Sequence, residues 1–343
     1  SDVTLKGNWT QSGTASFTPG TRTVTFSGTA DQYINHNGTL TFAYLVVNKS
    51  SGQLLLNSGS VSVGNLMTIT SGTVDLGTNT LSGGGGLTMN GGDLQIGQLT
   101  SVCSCTLPRL TGAYNINAGT VTFKGDGPQT IRGETISVPI VPNYYNVVLK
   151  GSGTKTLEGN FDVNGSLSIL ENAELDAGVS SRSVFLAGNW TNTSTYASPD
   201  AFNERNGSVT FDGSGAINLV STAVASGETF YDLTLSKAAG TDDLTLNNEV
   251  KITHQLTLTM GHILTNALSK NLTLDATTIA VSGGNDNSFI DGPVIKKTNS
   301  TTAYTLPTGK LYPNGEYRWI KITPSGSTAT TYVAEYFFTL PTS

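Results

Sequence analysis

The chain has 343 residues, of which 40 are glycine and only 12% are charged, and its formal net charge at pH 7 is −6. Apolar residues recur throughout, which argues against disorder, and the sequence lacks the concentrated basic surface that a nucleic-acid partner requires. No run of eighteen apolar residues occurs, so we predict no membrane insertion.

The tetrapeptide GNWT lies near the start of the chain at 7–10 and returns at 188–191. Related phrases that begin with TVTF or SVTF lie at 23–28, 120–125 and 208–213. An aromatic phrase follows each of them, at 42–48, 144–150 and 230–236. The sequence therefore contains an internal repeat of roughly 90 residues that is present about three times.

Within each repeat the apolar segments are three to five residues long and alternate with polar residues at a period of two, which predicts β-strands. Gly, Asn, Asp and Ser separate the segments, and these residues tolerate the left-handed backbone of tight corners. Tandem β-sandwiches would fit the repeat length, but they favour longer strands. We therefore predict an all-β fold, a parallel β-helix (β-solenoid) whose coils contain three short strands and roughly 22 residues.

The pattern predicts four divisions: degenerate β-solenoid modules at 1–86, 87–183 and 184–287, and a C-terminal antiparallel β unit at 288–343. The last division has longer, more aromatic strands, and YRWIKIT and TTYVAEYFF flank SGSTA in a predicted hairpin. This unit is expected to cap the stack or to begin another domain. The sequence begins without Met or a signal-peptide core and ends just after a strand-like run, so we expect a segment of a longer chain.

The two cysteines, Cys103 and Cys105, are separated by one residue. On a strand both side chains would point to one face, which is a poor geometry for a bond between them. The alternatives are plain thiols, a disulfide to another partner, or a metal site, for which no further soft ligands lie nearby. We expect plain thiols.

Candidate catalytic groups are sparse. Acids and bases that could face one side of a polysaccharide-cleaving β-helix are Asp126, Arg132, Glu134, Asp162, Glu171 and Asp176. They occupy corner positions where acidic residues ordinarily meet solvent, and a groove that cleaves polyanions would need a basic cluster. We therefore predict no enzymatic activity and assign no catalytic residue and no cofactor.

Histidines, oxygen-rich loops and two repeated tryptophans are the other candidates for binding. Of the three histidines, His36, His254 and His262, we expect the last two at turns or on the surface rather than in metal-binding or acid–base roles. The oxygen-rich loops 240–246 and 283–292 leave calcium binding open, although neither matches an EF-hand, and we assign no metal-binding residue. For the repeated Trp9 and Trp190 we favour packing at a module junction over stacking on sugars.

Several phrases carry a family resemblance: GNWT followed by VTFSG, then FYDLTL, LTLTMGHILTN, and the closing SFIDGPVIKK with YRWIKITPSGSTATTYVAEYFF. In these phrases the chain resembles the repeat regions of large surface and secreted proteins of the Bacteroidetes type, including gliding-type adhesins and other type IX secretion cargo. The resemblance covers nearly all of the chain. It implies an extracellular, β-rich segment of a stalk or filament.

Together these observations predict a non-catalytic extracellular structural protein at the cell surface. It would be a rigid stalk or a subunit of a filament, sheath or adhesin, acting by strand stacking and lateral or end-to-end assembly. The expected partners are other copies of itself or neighbouring domains of a longer chain, with surface glycans as a further partner. The alternative is a carbohydrate-binding or carbohydrate-cleaving β-helix protein. Ice or mineral binding is disfavoured because no Thr-x-Thr repeat persists between modules.

Overall fold

The computed structural model describes residues 1–134, 143–197, 201–223, 227–265, 271–277, 279–312 and 315–337. In this part of the chain the structure is all-β without a helix, and the strands stack as a parallel β-solenoid, as predicted. Two compact units are present: Ser1–Gly165 with Ile169–Leu175, and Ser166–Ser168 with Asp176–Ser343. The division at 86, 183 and 287 concerns sequence repeats and stays a prediction.

The described residues form 34 strands. The first sixteen are β1 (Val3–Leu5), β2 (Trp9–Gln11), β3 (Thr23–Phe26), β4 (Gln32–His36), β5 (Leu40–Leu56), β6 (Val61–Asp75), β7 (Leu81–Gly83), β8 (Gly86–Ile96), β9 (Arg109–Leu110), β10 (Tyr114–Phe123), β11 (Gln129–Ile131), β12 (Asn146–Leu149), β13 (Ser152–Leu157), β14 (Phe161–Val163), β15 (Leu167–Ile169) and β16 (Asn172–Asp176). The other eighteen are β17 (Val184–Leu186), β18 (Trp190–Asn192), β19 (Phe202–Asn203), β20 (Ser208–Phe211), β21 (Ile217–Ser221), β22 (Glu228–Ser236), β23 (Leu244–Leu246), β24 (Val250–Met260), β25 (Ile263–Leu264), β26 (Leu272–Leu274), β27 (Ala280–Gly283), β28 (Ile290–Asp291), β29 (Val294–Thr298), β30 (Tyr304–Leu306), β31 (Thr308–Lys310), β32 (Glu316–Tyr317), β33 (Ile320–Ile322) and β34 (Thr330–Ala334).

A coil of the first unit carries three pairing segments, as the sequence predicts. The segments 40–42, 44–47 and 53–55 of β5 lie beside successive parts of β6. Between β6 and β8, Leu66 pairs with Gly86 and Asp75 with Gln95, so one turn takes 20 residues. Between β8 and β10, Leu87 pairs with Tyr114, so that turn takes 27 residues. The longer turn contains the segment 97–108, in which both cysteines lie.

Glycine occupies one corner of four successive coils in the first unit. Gly52, Gly72, Gly92 and Gly119 all have positive φ, between 67° and 88°. A Cβ added at Gly92 would lie 2.4 Å from the carbonyl oxygen of Gly72, and one at Gly119 would lie 2.6 Å from that of Gly92. Only glycine combines this conformation with so close an approach of the next coil, which explains why glycine punctuates the apolar segments.

In-register stacking builds the core of the first unit from columns of similar side chains. Phe26, Val47, Ile69 and Met89 follow one another across β3, β5, β6 and β8, and none of them is exposed to solvent. Each such side chain contributes roughly 1.5–3 kcal/mol on burial. Because these columns pack between adjacent coils, stability is expected to be close to a sum of nearest-neighbour terms.

The second unit has the same construction and ends in antiparallel strands. Val250, Leu272 and Val294 form a buried column across parallel strands β24, β26 and β29. Strand β34 then runs antiparallel along β29 and places Ala334 on Val294. Strand β31 pairs parallel with β28 and antiparallel with β32. Parallel coils thus continue past residue 288, and antiparallel strands follow them.

The predicted hairpin around SGSTA is wrong. Strand β33, from the YRWIKIT segment, pairs with β30, whereas β34 pairs with β29. Each strand returns to a segment that lies earlier in the chain, where it covers edges left by the last coils. Short-range sequence pattern suggested a local turn, but long-range pairing determines the topology.

Candidate functional site

The repeated GNWT tetrapeptide has the same structural role in both copies. The side-chain Oδ1 of Asn8 accepts the backbone N–H of Tyr33 on the next coil, at 3.0 Å. The Oδ1 of Asn189 accepts the N–H of Asn218 on the next coil, at 2.8 Å. Each asparagine therefore ties the corner that opens one coil to the start of a strand on the following coil.

The tryptophan of the second copy is the centre of an aromatic cluster. Trp190 is completely buried, and its ring meets those of Phe202 and Phe230 edge-on at centroid distances of 5.0 and 5.4 Å. Its Nε1–H donates to the buried carboxylate of Glu228 (2.8 Å), which also accepts a hydrogen bond from the Asn192 amide (3.0 Å). This indole is a packing residue, in agreement with the favoured interpretation.

The tryptophan of the first copy packs in a similar but less polar cluster. Trp9 is half-buried and lies edge-on to Phe17 and Phe42, at 4.7 and 5.1 Å. Leu40, two residues before Phe42, holds the place that Glu228 holds in the second copy. As a result, the Trp9 Nε1–H has no hydrogen-bond partner among the described residues.

A buried lysine ties two coils together in the first unit. Lys49 is 1% exposed, and its Nζ donates to the carbonyls of Gly28 (2.6 Å) and Ala30 (2.9 Å) and to Oε1 of Gln32 (2.8 Å). The same Gln32 oxygen accepts the N–H of Gly28 at 2.8 Å. Burial lowers the pKa of Lys49, against the opposing effect of Asp31.

The second copy of the phrase repeats this arrangement. Lys155 is completely buried and its Nζ donates to the carbonyls of Gly125 (2.7 Å), Gly127 (3.1 Å) and Ser152 (2.9 Å). Gln129 again accepts the N–H of the glycine, Gly125, at 2.8 Å. The lysine and the glutamine therefore satisfy buried backbone carbonyls and N–H groups at a corner, which is a structural role.

The buried lysines predict an unusual dependence of stability on pH. Burial lowers the pKa values of Lys155 and Lys296 from 10.5 to about 8, against weaker opposing effects of Asp126 and Asp275. Between pH 8 and 10.5 the unfolded state therefore binds more protons, and the free energy of unfolding should rise with pH. Burial raises the pKa of Tyr304 from 10.0 to about 12, so above pH 10 the unfolded state loses its proton first and the free energy should fall.

We expect urea unfolding measured from pH 7 to pH 12 to show maximal stability near pH 10. The double variant Lys155→Met, Lys296→Met should show a weaker rise above pH 8. A wild-type free energy of unfolding that decreases steadily from pH 8 would contradict these protonation states.

The expectation of plain thiols is wrong, because Cys103 and Cys105 form a disulfide with each other. The prediction assumed a strand, but residues 103–106 have no regular structure, and the two Cα atoms lie only 5.1 Å apart. The carbonyl of Cys105 accepts a hydrogen bond from Gln129 Nε2 at 3.2 Å. A bend in the excursion 97–108 thus brings the sulfurs together.

The disulfide predicts a simple alkylation result. Without reduction, the denatured chain should incorporate no alkyl group, and after reduction it should incorporate two, measured by mass spectrometry. Because the closed loop is so short, the variant Cys103→Ser, Cys105→Ser should lose at most about 2 kcal/mol of stability. Alkylation of the denatured, unreduced chain would contradict the bond.

Asp126, Arg132 and Glu134 do not converge. Arg132 donates to the carbonyl of Pro108 (3.2 Å) and to the hydroxyl of Tyr114 (2.9 Å), with its guanidinium 5.3 Å from the Tyr114 ring centre. Asp126 and Glu134 pair with neighbouring coils through their backbones. No side-chain hydrogen bond or ion pair joins these three residues to one another in the described part of the chain.

The other acidic candidates also take part in local contacts. Asp162 lies half-buried in β14, and the carboxylate of Glu171 accepts the N–H of Gly151 at 2.8 Å. Asp176 forms an ion pair with Arg205 at 2.9 Å. Burial, the largest single effect, acts to raise the pKa of Asp176. The hydrogen bonds from Arg205, a backbone N–H and the guanidinium charge together outweigh it and hold the pKa below its ordinary value. The expected corner position holds for Glu171, which has a φ of 57°, whereas Asp162 and Asp176 lie within β14 and β16 because strand pairing extends over them.

The histidines have local partners. His36 is 5% exposed, and its Nδ1 lies 3.0 Å from a backbone carbonyl. His254 lies half-exposed with Nδ1 2.6 Å from Asp232, and the buried His262 has Nδ1 3.0 Å from Asp243. The expected surface position thus holds for His254. His262 lies at the corner between β24 and β25, as the turn alternative predicts, but it is buried.

The two oxygen-rich loops use acidic groups for internal contacts. In the loop 283–292, Asp291 pairs with Lys310 at 2.7 Å and Asp286 accepts a backbone N–H at 3.0 Å. In the loop 240–246, Asp243 meets His262. Across the described ranges, no group of three or more His, Cys, Asp or Glu is placed to hold a metal ion.

No model of a protein family matches the chain, and neither a curated protein nor a solved structure matches it. Among the described residues there is also no helix with the length and apolarity needed to cross a membrane.

Proposed function

We propose that the chain is a non-catalytic structural protein of the cell exterior, a rigid stalk or a subunit of a surface filament, sheath or adhesin. The observation that supports this most directly is that the recurring residues of the sequence make the contacts that hold the coils together. The corner glycines, the GNWT asparagines and tryptophans, and the buried lysines all make contacts within a coil or between adjacent coils. These residues build a stack, and the proposed role is to span distance and present surfaces.

Asparagine columns also support a structural role. Side-chain amides donate to one another across adjacent coils in the pairs Asn57 to Asn35, Asn117 to Asn90 and Asn247 to Asn218, at 3.0–3.1 Å. Such pairs strengthen coil-to-coil pairing on exposed corners. With low charge density, this surface suits close lateral packing of copies.

A free strand edge offers a route to assembly. Strand β27 pairs with β24 through Gln255–Leu258 and has no other partner among the described residues. Ala280, Ser282 and Gly283 are exposed, and Val281 is half-buried. Unpaired backbone groups on such an edge can pair with a strand of another chain. We propose that copies of the chain, or neighbouring domains of a longer polypeptide, pair at edges of this kind.

The proposed location is extracellular. Disulfides such as Cys103–Cys105 persist mainly in oxidising compartments, which supports this location. The resemblance to repeat regions of Bacteroidetes-type surface proteins supports the same proposal. Antibody labelling of intact source cells would test it, since an exclusively cytosolic signal would rule the location out.

Electron microscopy of the native particle tests the proposed function. We expect filaments, sheaths or elongated surface projections that antibodies to this chain decorate. For the purified chain, sedimentation should show association that increases with concentration. Proline at Val281, whose N–H points away from β24, should weaken it by removing one edge N–H. Val281→Ala, which keeps the backbone N–H, serves as the control. Isolated short particles that neither assemble nor belong to a larger chain would count decisively against the proposal.

A further inference from the structure

A concave site on the first unit is lined almost wholly by asparagine and tyrosine. The cavity has a volume of about 460 Å³, within the range of roughly 300–1,000 Å³ found for small-molecule sites. Apart from the buried Ile116, its lining consists of Tyr114, Asn115, Asn117, Asn143, Tyr145 and Asn164. None of these side chains is ionised at neutral pH.

Three segments of the solenoid bring these residues together. Residues 114–117 begin β10, Asn143 and Tyr145 precede β12, and Asn164 follows β14. The N–H of Asn164 donates to the carbonyl of Tyr144 at 2.8 Å, which fixes Asn164 close to Tyr145. The site is therefore assembled by coil stacking and sits on strand ends.

One side of the cavity is held rigidly. Tyr114 is 8% exposed, and its hydroxyl contacts the backbone of Pro108, the N–H of Leu110 (3.0 Å) and the guanidinium of Arg132 (2.9 Å). The Asn117 amide donates to Asn90 at 3.1 Å. These contacts hold Tyr114 and Asn117 in place in the wall of the cavity.

The remaining polar groups have no internal role. The amides of Asn115, Asn143 and Asn164 and the hydroxyl of Tyr145 make no hydrogen bond among the described residues. This differs from the asparagine columns, where amides on adjacent coils bond to each other. Tyr145 is 37% exposed, so part of its ring is open to a ligand.

We infer that this cavity binds a neutral saccharide. Each free amide offers two N–H donors and a carbonyl acceptor, which matches sugar hydroxyls that both donate and accept. The Tyr145 ring supplies an apolar surface for the C–H face of a sugar ring. A lining without ionised groups disfavours acidic polysaccharides. The inference does not rest on the proposed structural function, because the site needs only the first unit.

A glycan array with the full chain tests this inference. The array carries neutral oligosaccharides of glucose, galactose, mannose and N-acetylglucosamine, together with polygalacturonate and alginate as anionic probes. We expect retention of at least one neutral class and none of the anionic probes. Binding of that class should be unchanged between 50 mM and 500 mM NaCl. Failure of every neutral probe, or preference for the anionic probes, would overturn the inference.

Variants locate the binding in the cavity. By isothermal titration with the best neutral oligosaccharide, Tyr145→Ala should weaken binding at least tenfold and Asn143→Ala about two- to tenfold, the range expected for loss of neutral hydrogen bonds. Tyr145→Phe, which keeps the ring, should stay within about threefold of wild type. The exposed Tyr312 of the second unit provides a matched control, since Tyr312→Ala should have no effect.

Thermal unfolding of each variant separates loss of binding from loss of folding. Asn143 is exposed, so Asn143→Ala is expected to fold, and its affinity can be measured even if Tyr145→Ala does not fold. Wild-type affinity in both Asn143→Ala and Tyr145→Ala, each shown to be folded, would refute the site. If Tyr145→Ala is unfolded, wild-type affinity in Asn143→Ala alone refutes it. Neither result bears on assembly, which is measured separately.

Discussion

Deleting one whole turn, residues 66–85, should leave a folded β-solenoid. The deletion joins Asn65 to Gly86, and because β6 and β8 pair at a constant offset, Leu87 would take the place of Met67 beside Leu45. Inward residues stay inward and the corner glycines stay aligned. We expect a β-rich far-UV circular dichroism spectrum and cooperative urea unfolding at a lower midpoint, since one set of coil contacts is lost.

Deleting half a turn, residues 66–75, is the matched comparison and should abolish the fold. Leu81 pairs with Val61 in the intact chain, and a chain that is half a turn shorter cannot restore this register. Apolar side chains would then face solvent, and polar ones would face the core. We expect aggregation or loss of cooperative unfolding. Equal behaviour of the two deletions, whether both fold or both fail, would contradict in-register stacking as the basis of the structure.

Replacing Trp190 by alanine should destabilise the second unit by about 3–5 kcal/mol, as expected for loss of a large buried aromatic side chain. The substitution opens a cavity beside Phe202 and Phe230. It also removes the Nε1–H donor from the buried Glu228 carboxylate. Urea unfolding followed by hydrogen exchange of the second unit would measure the loss.

Two further variants separate the causes of this effect. Trp190→Phe keeps most of the ring and removes the hydrogen bond, so its loss should be smaller than that of Trp190→Ala. Trp9→Ala should also cost less, because Trp9 is half-buried and bonds to no carboxylate. If Trp9→Ala lowers the free energy of unfolding as much as Trp190→Ala or more, the greater burial of Trp190 does not make its cluster the more stabilising of the two.

The fold class could be predicted because stacking imposes local sequence rules. Alternation within short segments identifies the strands, and glycine at 52, 72, 92 and 119 marks a corner that a Cβ would obstruct. The repeated TVTF phrases show that the coils are related. These signals operate within one coil or between neighbours, where spacing in sequence corresponds to spacing in structure.

The predictions for the cysteines and for the C-terminal hairpin were wrong because, in both places, the chain departs from the repeating coil. At Cys103 and Cys105 the chain leaves the coil, so strand geometry does not apply. At β33 and β34, pairing with β30 and β29 replaces a local turn. Such long-range pairing produces no periodic pattern in the sequence. The asparagine and tyrosine cavity was missed because its members come from three separate segments, and each appears by itself as an ordinary corner residue.

The excursion at 97–108 has a consequence for engineering. Here a coil carries additional residues at a corner, yet the strands on either side resume parallel pairing, with Val121 beside Leu94 and Phe123 beside Ile96. The coil thus accommodates additional residues at that corner without a change in the pairing of the neighbouring strands. A foreign epitope or small enzyme grafted there would be displayed at a defined position along the unit. Similar grafts at corners of other coils would be held at fixed distances from it.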